Sequence, residues 1–109
     1  MSSKNQQISV YTDIELIFSV DICGENIKAR VIDRIDMDVY SRLHIMDEIN
    51  KYLELNKPNM AEIFFRCTHV YNRPDFLKIN DKVIPASNIT SIKFESGALM
   101  PETVEVVRL

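Results

Sequence analysis

Cys67 and His69 stand two residues apart in an apolar run, and on an extended backbone their side chains would share one face. A thiolate and an imidazole at that spacing suit zinc. A structural zinc site needs four ligands, however, and the others would have to come from Cys23, His44 or scattered acids. The plainer reading is a packed cysteine beside a hydrogen-bonded histidine. Cys67 with His69 or His44 also has the residue types of thiol catalysis. On one strand, Cys67 and His69 would sit about 7 Å apart, too far for an easy thiolate–imidazole bond. Asp33, Asp36 and Asp38 form an acidic run of the kind that binds hard cations or divides acid and base roles. They flank a strand-to-helix junction, where solvated turn and cap carboxylates are expected. The chain has only two glycines and no phosphate-cradling loop. No serine sits in a nucleophile elbow. The expectation is a protein that is not an enzyme and holds no metal or cofactor.

The second candidate group is basic and aromatic: Arg66, His69, Tyr71, Asn72, Arg73, Phe76, Lys78 and Lys82. Between Arg66 and Lys93 five cations (Arg66, Arg73, Lys78, Lys82, Lys93) stand against two acids (Asp75, Asp81), whereas the whole chain carries a net charge of −3. An acidic protein gains little from the counterion release that drives non-specific nucleic-acid binding, so any such site must be local and selective. If Leu77 and Ile79 face inward, Phe76 and Lys78 face outward together. A ring can then stack on a base while the ammonium neutralises a phosphate. The set is therefore the candidate RNA-binding surface. The competing reading is equally physical: edge strands carry lysine to discourage aggregation, and exposed aromatics serve a protein partner or a homodimer.

The elements that must position these residues follow from periodicity. From Ile8 to Ile22 apolar residues recur every second position, with Ser9, Tyr11, Asp13, Glu15, Ser19 and Asp21 between them. That is a strand with one buried and one wet face, broken or bulged at Thr12-Asp13. Gly24-Glu25-Asn26 turns the chain, and Ile27, Ala29, Val31 and Ile35 carry the return strand. Asp36 or Asp38 then caps a helix of about 17 residues, with Val39, Leu43, Met46, Ile49 or Asn50, and Leu53 as its apolar stripe. Pro58 in Asn56-Lys57-Pro58-Asn59 ends it. Ile63 to Tyr71, apolar at both parities, reads as a covered strand, followed by a turn at Asn72-Arg73-Pro74-Asp75. In FLKINDKVIPASNITSIKF (Phe76 to Phe94), Asn80-Asp81 supplies a two-residue hairpin turn, Pro85 stops the pairing, and a third strand runs through Ile89, Ile92 and Phe94. A loop at Ser96-Gly97 and a last strand near Val104 to Val107 complete the order β-β-α-β-β-β-β-β.

This arrangement is α+β: a small curled mixed or antiparallel sheet, or pseudo-barrel, with one main helix plugging an opening. The length fits one domain, 8–109, after a flexible N-terminal tail, 1–7. No apolar run approaches the roughly 20 residues that cross a bilayer, and the polar MSSKNQQ lacks a secretion signal. The expected location is the cytoplasm, with no membrane partner. The Ile8–Ile35 hairpin, the single helix and the FLKIN…ITSIKF stretch resemble the small PrgU-type regulatory proteins of Gram-positive conjugative plasmids. That resemblance implies a PUA-like pseudo-barrel and control of plasmid-encoded adhesin or transfer-gene expression, with RNA as the implied partner. It transfers no functional residue, since no diagnostic motif accompanies it.

Overall fold

The computed structural model describes residues 7–108, so the expected tail at 1–7 lies, but for Gln7, outside the described residues. Two 15-residue strands, β1 (Ile8–Ile22) and β2 (Glu25–Val39), form an antiparallel hairpin with uninterrupted register from Ile8↔Val39 to Ile22↔Glu25. Their turn is Cys23-Gly24, one residue earlier than the sequence suggests. Both residues have positive φ (50° and 86°), the two-residue geometry that matches strand twist. Strands of this length reach about 50 Å, and the molecule measures 59 × 27 × 22 Å.

The alternation of β1 reads correctly. Val10, Ile14, Leu16, Phe18 and Val20 are all buried, with Ala29, Val31, Ile35 and Val39 beside them from β2. The opposite face is wet and carries cross-strand ion pairs, Arg30–Glu15 and Arg34–Glu105 among them. Thr12-Asp13 neither breaks nor bulges the β1–β2 pairing. It marks where the neighbour on β1's other side changes. β6 (Ile89–Leu99) pairs with Ile14–Ile22, and β7 (Glu105–Arg108) pairs with Ser9–Tyr11. A 3₁₀ turn, Pro101–Thr103, joins them. Its Thr103 hydroxyl lies 3.1 Å from that of Thr12 and accepts the Asp13 amide at 2.8 Å.

Three readings of the middle of the chain need correction. β2 runs on to Val39, so Asp36 and Asp38 are strand residues and cap nothing; Ser41 caps the 3₁₀ turn Arg42–His44 through Leu43 N at 3.1 Å. The helix α1 (Ile45–Asn56) buries Ile45 and Ile49 and leaves Leu43, before it, 88% exposed. Ile63 to Tyr71 is mostly helix: α2 (Met60–Thr68) buries Met60, Ile63, Phe64 and Thr68. Those spacings of three, one and four are a helical stripe, which explains why both parities looked apolar. Pro58 lies in the first turn of the 3₁₀ segment Lys57–Asn59 between the helices, where a missing N–H costs nothing. Only His69–Val70 remains extended, as β3. Among the described residues α1 is thus the one main helix that the sequence indicates, and the shorter α2 stands where a strand was expected.

The turn after β3 is Tyr71-Asn72, with Asn72 at φ 68°, and Arg73, Pro74 and Asp75 already belong to β4 (Arg73–Ile79). Asn80-Asp81 is the two-residue hairpin turn that the sequence indicates, at φ 50° and 68°, and β5 (Lys82–Pro85) returns from it. β3-β4-β5 form a second antiparallel sheet that turns Leu77 and Ile79 into the core. After Pro85 a 3₁₀ corner, Ala86–Asn88, leads into β6. The architecture is α+β: among the described residues seven strands form two antiparallel sheets, and these do not close into a barrel.

The expected loop at Ser96-Gly97 is instead strand. β6 bulges at Glu95, between the pairs Ile17↔Ser96 and Phe18↔Phe94, and continues to Leu99. A Cβ on Gly97 would meet methyls of Leu16 and Leu53 at 3.0 Å, so the missing side chain lets α1 seat on the sheet. Gly97→Val is expected to cost about 1–3 kcal/mol by overpacking, measured by urea unfolding. An unchanged midpoint would show that Leu53 moves aside freely.

Candidate functional site

The basic and aromatic residues are distributed over three environments. On β4, Leu77 and Ile79 point inward, so Phe76 and Lys78 share the outward face, with Val83 and Pro85 of β5 opposite them. The Arg73 guanidinium lies over the Phe76 ring at 4.2 Å, an ordered cation–π pair on that surface. Lys82 is exposed at the hairpin end but pairs with Ile79, so it belongs to the other face of the ribbon. Tyr71 and Asn72 project at the preceding turn and are exposed. Arg73, Phe76 and Lys78 are thus brought together. Tyr71 and Lys82 flank them along the chain.

Arg66 and His69 are engaged elsewhere. His69 caps the C-terminal end of α2 and its Nδ1 sits 2.8 Å from the Arg66 carbonyl, to which a ring N–H there donates. Arg66 is on α2, and its Nη2 donates to both carboxylate oxygens of Asp33 at 3.0 and 2.9 Å. Tyr52 of α1 donates its hydroxyl to the same carboxylate at 2.6 Å. Asp33 is only 5% exposed and lies on the core face of β2. One buried carboxylate therefore ties both helices to the sheet. Burial first, and the bond to Asp33 second, push the Tyr52 phenol above its ordinary range.

This clasp was missed by reading Asp33, Asp36 and Asp38 as one acidic run. The signal was present in parity: Asp33 follows Ile27, Ala29 and Val31 on the apolar face, where a carboxylate must find partners. Asp36 and Asp38 point to the opposite face, and Asp38 accepts the Ser9 hydroxyl at 2.8 Å. Among the described residues no three His, Cys, Asp or Glu side chains gather to hold a metal. Cys67 and His69 do not share a strand face, because Cys67 belongs to α2. Cys67 is half-buried, and burial, followed by the Asp33 charge, pushes its thiol up, away from the thiolate that nucleophilic chemistry needs. Cys23 is exposed at the β1–β2 turn. His44 is exposed, in the 3₁₀ turn before α1.

Among the described residues no helix is long and apolar enough to cross a membrane. Comparison with family models, with curated proteins and with solved structures returns no match. The functional reading rests on geometry and on the residues themselves.

Proposed function

We propose that this chain is a small, non-catalytic regulatory module of the cytoplasm that contacts single-stranded RNA with the outer face of the β4–β5 ribbon. The observation that carries the reading is the Arg73–Phe76 pair with Lys78 beside it on one outward face. A ring already backed by a guanidinium is a preformed stacking platform, and Arg73 and Lys78 supply charge to adjoining phosphates. Tyr71 extends the contact at the turn before β4, whereas Lys82 stands on the other face of the ribbon and leaves the set. Arg66 and His69 leave the set, because Arg66 Nη2 is bound to Asp33 and His69 Nδ1 to the end of α2, away from the Arg73–Phe76 pair. The likeness of FLKIN…ITSIKF to PrgU-type regulators supports a PUA-like relationship and a role in plasmid gene expression. The neighbouring Asp75 and Asp81 suit a selective contact better than a general one.

The double variant Arg73→Glu/Lys78→Glu, with Lys82→Glu on the opposite face as the control, tests this in a titration of a mixed-sequence single-stranded oligoribonucleotide followed by fluorescence anisotropy. Binding should fall, and the slope of log K against log salt should flatten by about 0.7 for each phosphate that is no longer neutralised. The melting temperature should not move, since all three side chains are exposed. No binding by the parent protein, or binding insensitive to salt, would defeat the proposal.

A further inference from the structure

In the first sheet β1 lies between β2 and the strands β6 and β7, so among the described residues β2 is an edge strand over its whole length. Part of that edge is already occupied, by a side chain instead of a strand. Asn80, at the tip of the β4–β5 hairpin, accepts the Arg30 amide at 3.1 Å and donates to the Lys28 carbonyl at 2.7 Å. These two bonds show which backbone groups of β2 point away from β1. Along an antiparallel strand every second residue turns both its N–H and its C=O to the same side. Since the β1–β2 register has no bulge, the outward residues beyond Arg30 are Ile32, Arg34, Asp36 and Asp38. Among the described residues no strand pairs with that stretch.

We infer that this open stretch of β2 is a homodimer interface, in which the β2 strands of two copies pair antiparallel about a two-fold axis through Ile35, joining the two first sheets into one. The register is set by two independent features. Asn80 closes the edge at Arg30 and β2 ends at Val39, so the free outward residues 32, 34, 36 and 38 are centred on Ile35. Charge selects the same centre. An axis through Ile35 sets Arg34 of each copy opposite Asp36 of the other, and Ile32 opposite Asp38. An axis through Arg34 or Asp36 would set that residue against itself, with like charges directly across the strands. An axis through residue 33 would require the Arg30 amide that Asn80 holds.

The pairing about Ile35 gives hydrogen-bond partners to the outward backbone groups of these residues without disturbing any bond already made. It also covers apolar surface. Alongside this edge runs a groove between β2 and α1, lined by Ile35, Met37, Tyr52 and Leu55 together with the charged Asp36, Glu48 and Lys51, and Leu55 is 78% exposed. Residues directly opposite in a ladder lie on one face, so the axis brings this groove against its own copy. A second copy is the occupant that supplies both the matching charges and the matching groove. This interface lies on a different edge from the β4–β5 ribbon and does not depend on RNA contact there.

The test is sedimentation equilibrium of the whole chain, with amide hydrogen exchange at several protein concentrations. The expected result is a dimer whose formation slows exchange at Ile32, Arg34, Asp36 and Asp38. Asp36→Pro removes one outward N–H and nothing from the β1–β2 ladder, so it should give a folded monomer. Should that variant not fold, Asp36→Arg decides: it sets like charges across both symmetry-related pairs and should weaken dimerisation by about tenfold or more. A parent protein that stays monomeric up to its solubility limit, leaving the edge to a foreign strand, would overturn the inference. So would a dimer whose affinity neither variant changes.

Discussion

Phe64→Ala is expected to lower the free energy of unfolding by about 3–5 kcal/mol, read as a shift of the urea midpoint at constant slope. Phe64 is fully buried in α2 and meets Phe18 of β1 edge-on at 5.0 Å between centroids. Phe18 in turn meets Phe94 of β6 edge-on at 5.5 Å. The three rings form a row that joins helix, central strand and neighbouring strand, and each edge-to-face contact adds to the area it buries. Domains of this size have total stabilities of about 5–15 kcal/mol, so the loss is a large fraction of the whole. Phe65→Ala is the control. Its ring meets Phe64 edge-on at 5.8 Å between centroids but is 40% exposed, so about 1 kcal/mol is expected. Equal losses at Phe64 and Phe65 would mean a segment covered on both sides, as a strand would be, and would contradict α2.

Asp33→Ala should cost about 2–3 kcal/mol, at the low end for breaking a buried ion pair. The reason for the low figure is Arg66, whose side chain is 58% exposed and can be rehydrated once its partner is gone. The Tyr52 hydroxyl is less well placed to recover, and Tyr52→Phe alone should cost about 1 kcal/mol. The double variant should fall short of the sum, because both single changes remove the same bond. The alkaline limb gives an independent check. Tyr52 is raised from its ordinary 10.0 and Cys67 from its ordinary 9.0. For a group raised on folding, the stabilisation is complete below the unfolded value and is lost as pH climbs through the folded one. Stability should therefore decline above pH 9 and more steeply above pH 10. In Tyr52→Phe the steeper part should vanish. A flat stability profile through pH 11 in the parent would show that Tyr52 and Cys67 are not shielded from solvent beneath the helices.

The sequence is legible where one period governs a segment. The β1–β2 hairpin, the inward Leu77 and Ile79, the Asn80-Asp81 turn and the corner after Pro85 follow from alternation and turn chemistry and are present as read. Legibility failed where two periods fit the same residues. Ile63, Phe64 and Cys67 satisfy a helical stripe and also crowd both faces of a strand, and only the packing of Phe64 on Phe18 decides between them. It failed again where a residue's role depends on distant chain. Asp36 and Asp38 have the composition of helix caps, but β1 holds that segment extended. Arg66 has the charge of an RNA contact, yet Asp33, far away in sequence, takes its guanidinium. Gly97 resembles a loop residue until Leu53 is placed against it.

The central position of β1 governs how the chain can fold over time. Its partner on one side follows immediately, and such hairpins close in microseconds. Its partner on the other side is made much later: the Thr12–Thr103 contact spans 91 residues. Ring closure over that distance is slow, and a half-built sheet must wait for it. During synthesis the second edge of β1 stays unpaired until 89–108 arrive, so the nascent chain's exposure to edge-to-edge association is set by its last-made strands and not by its first.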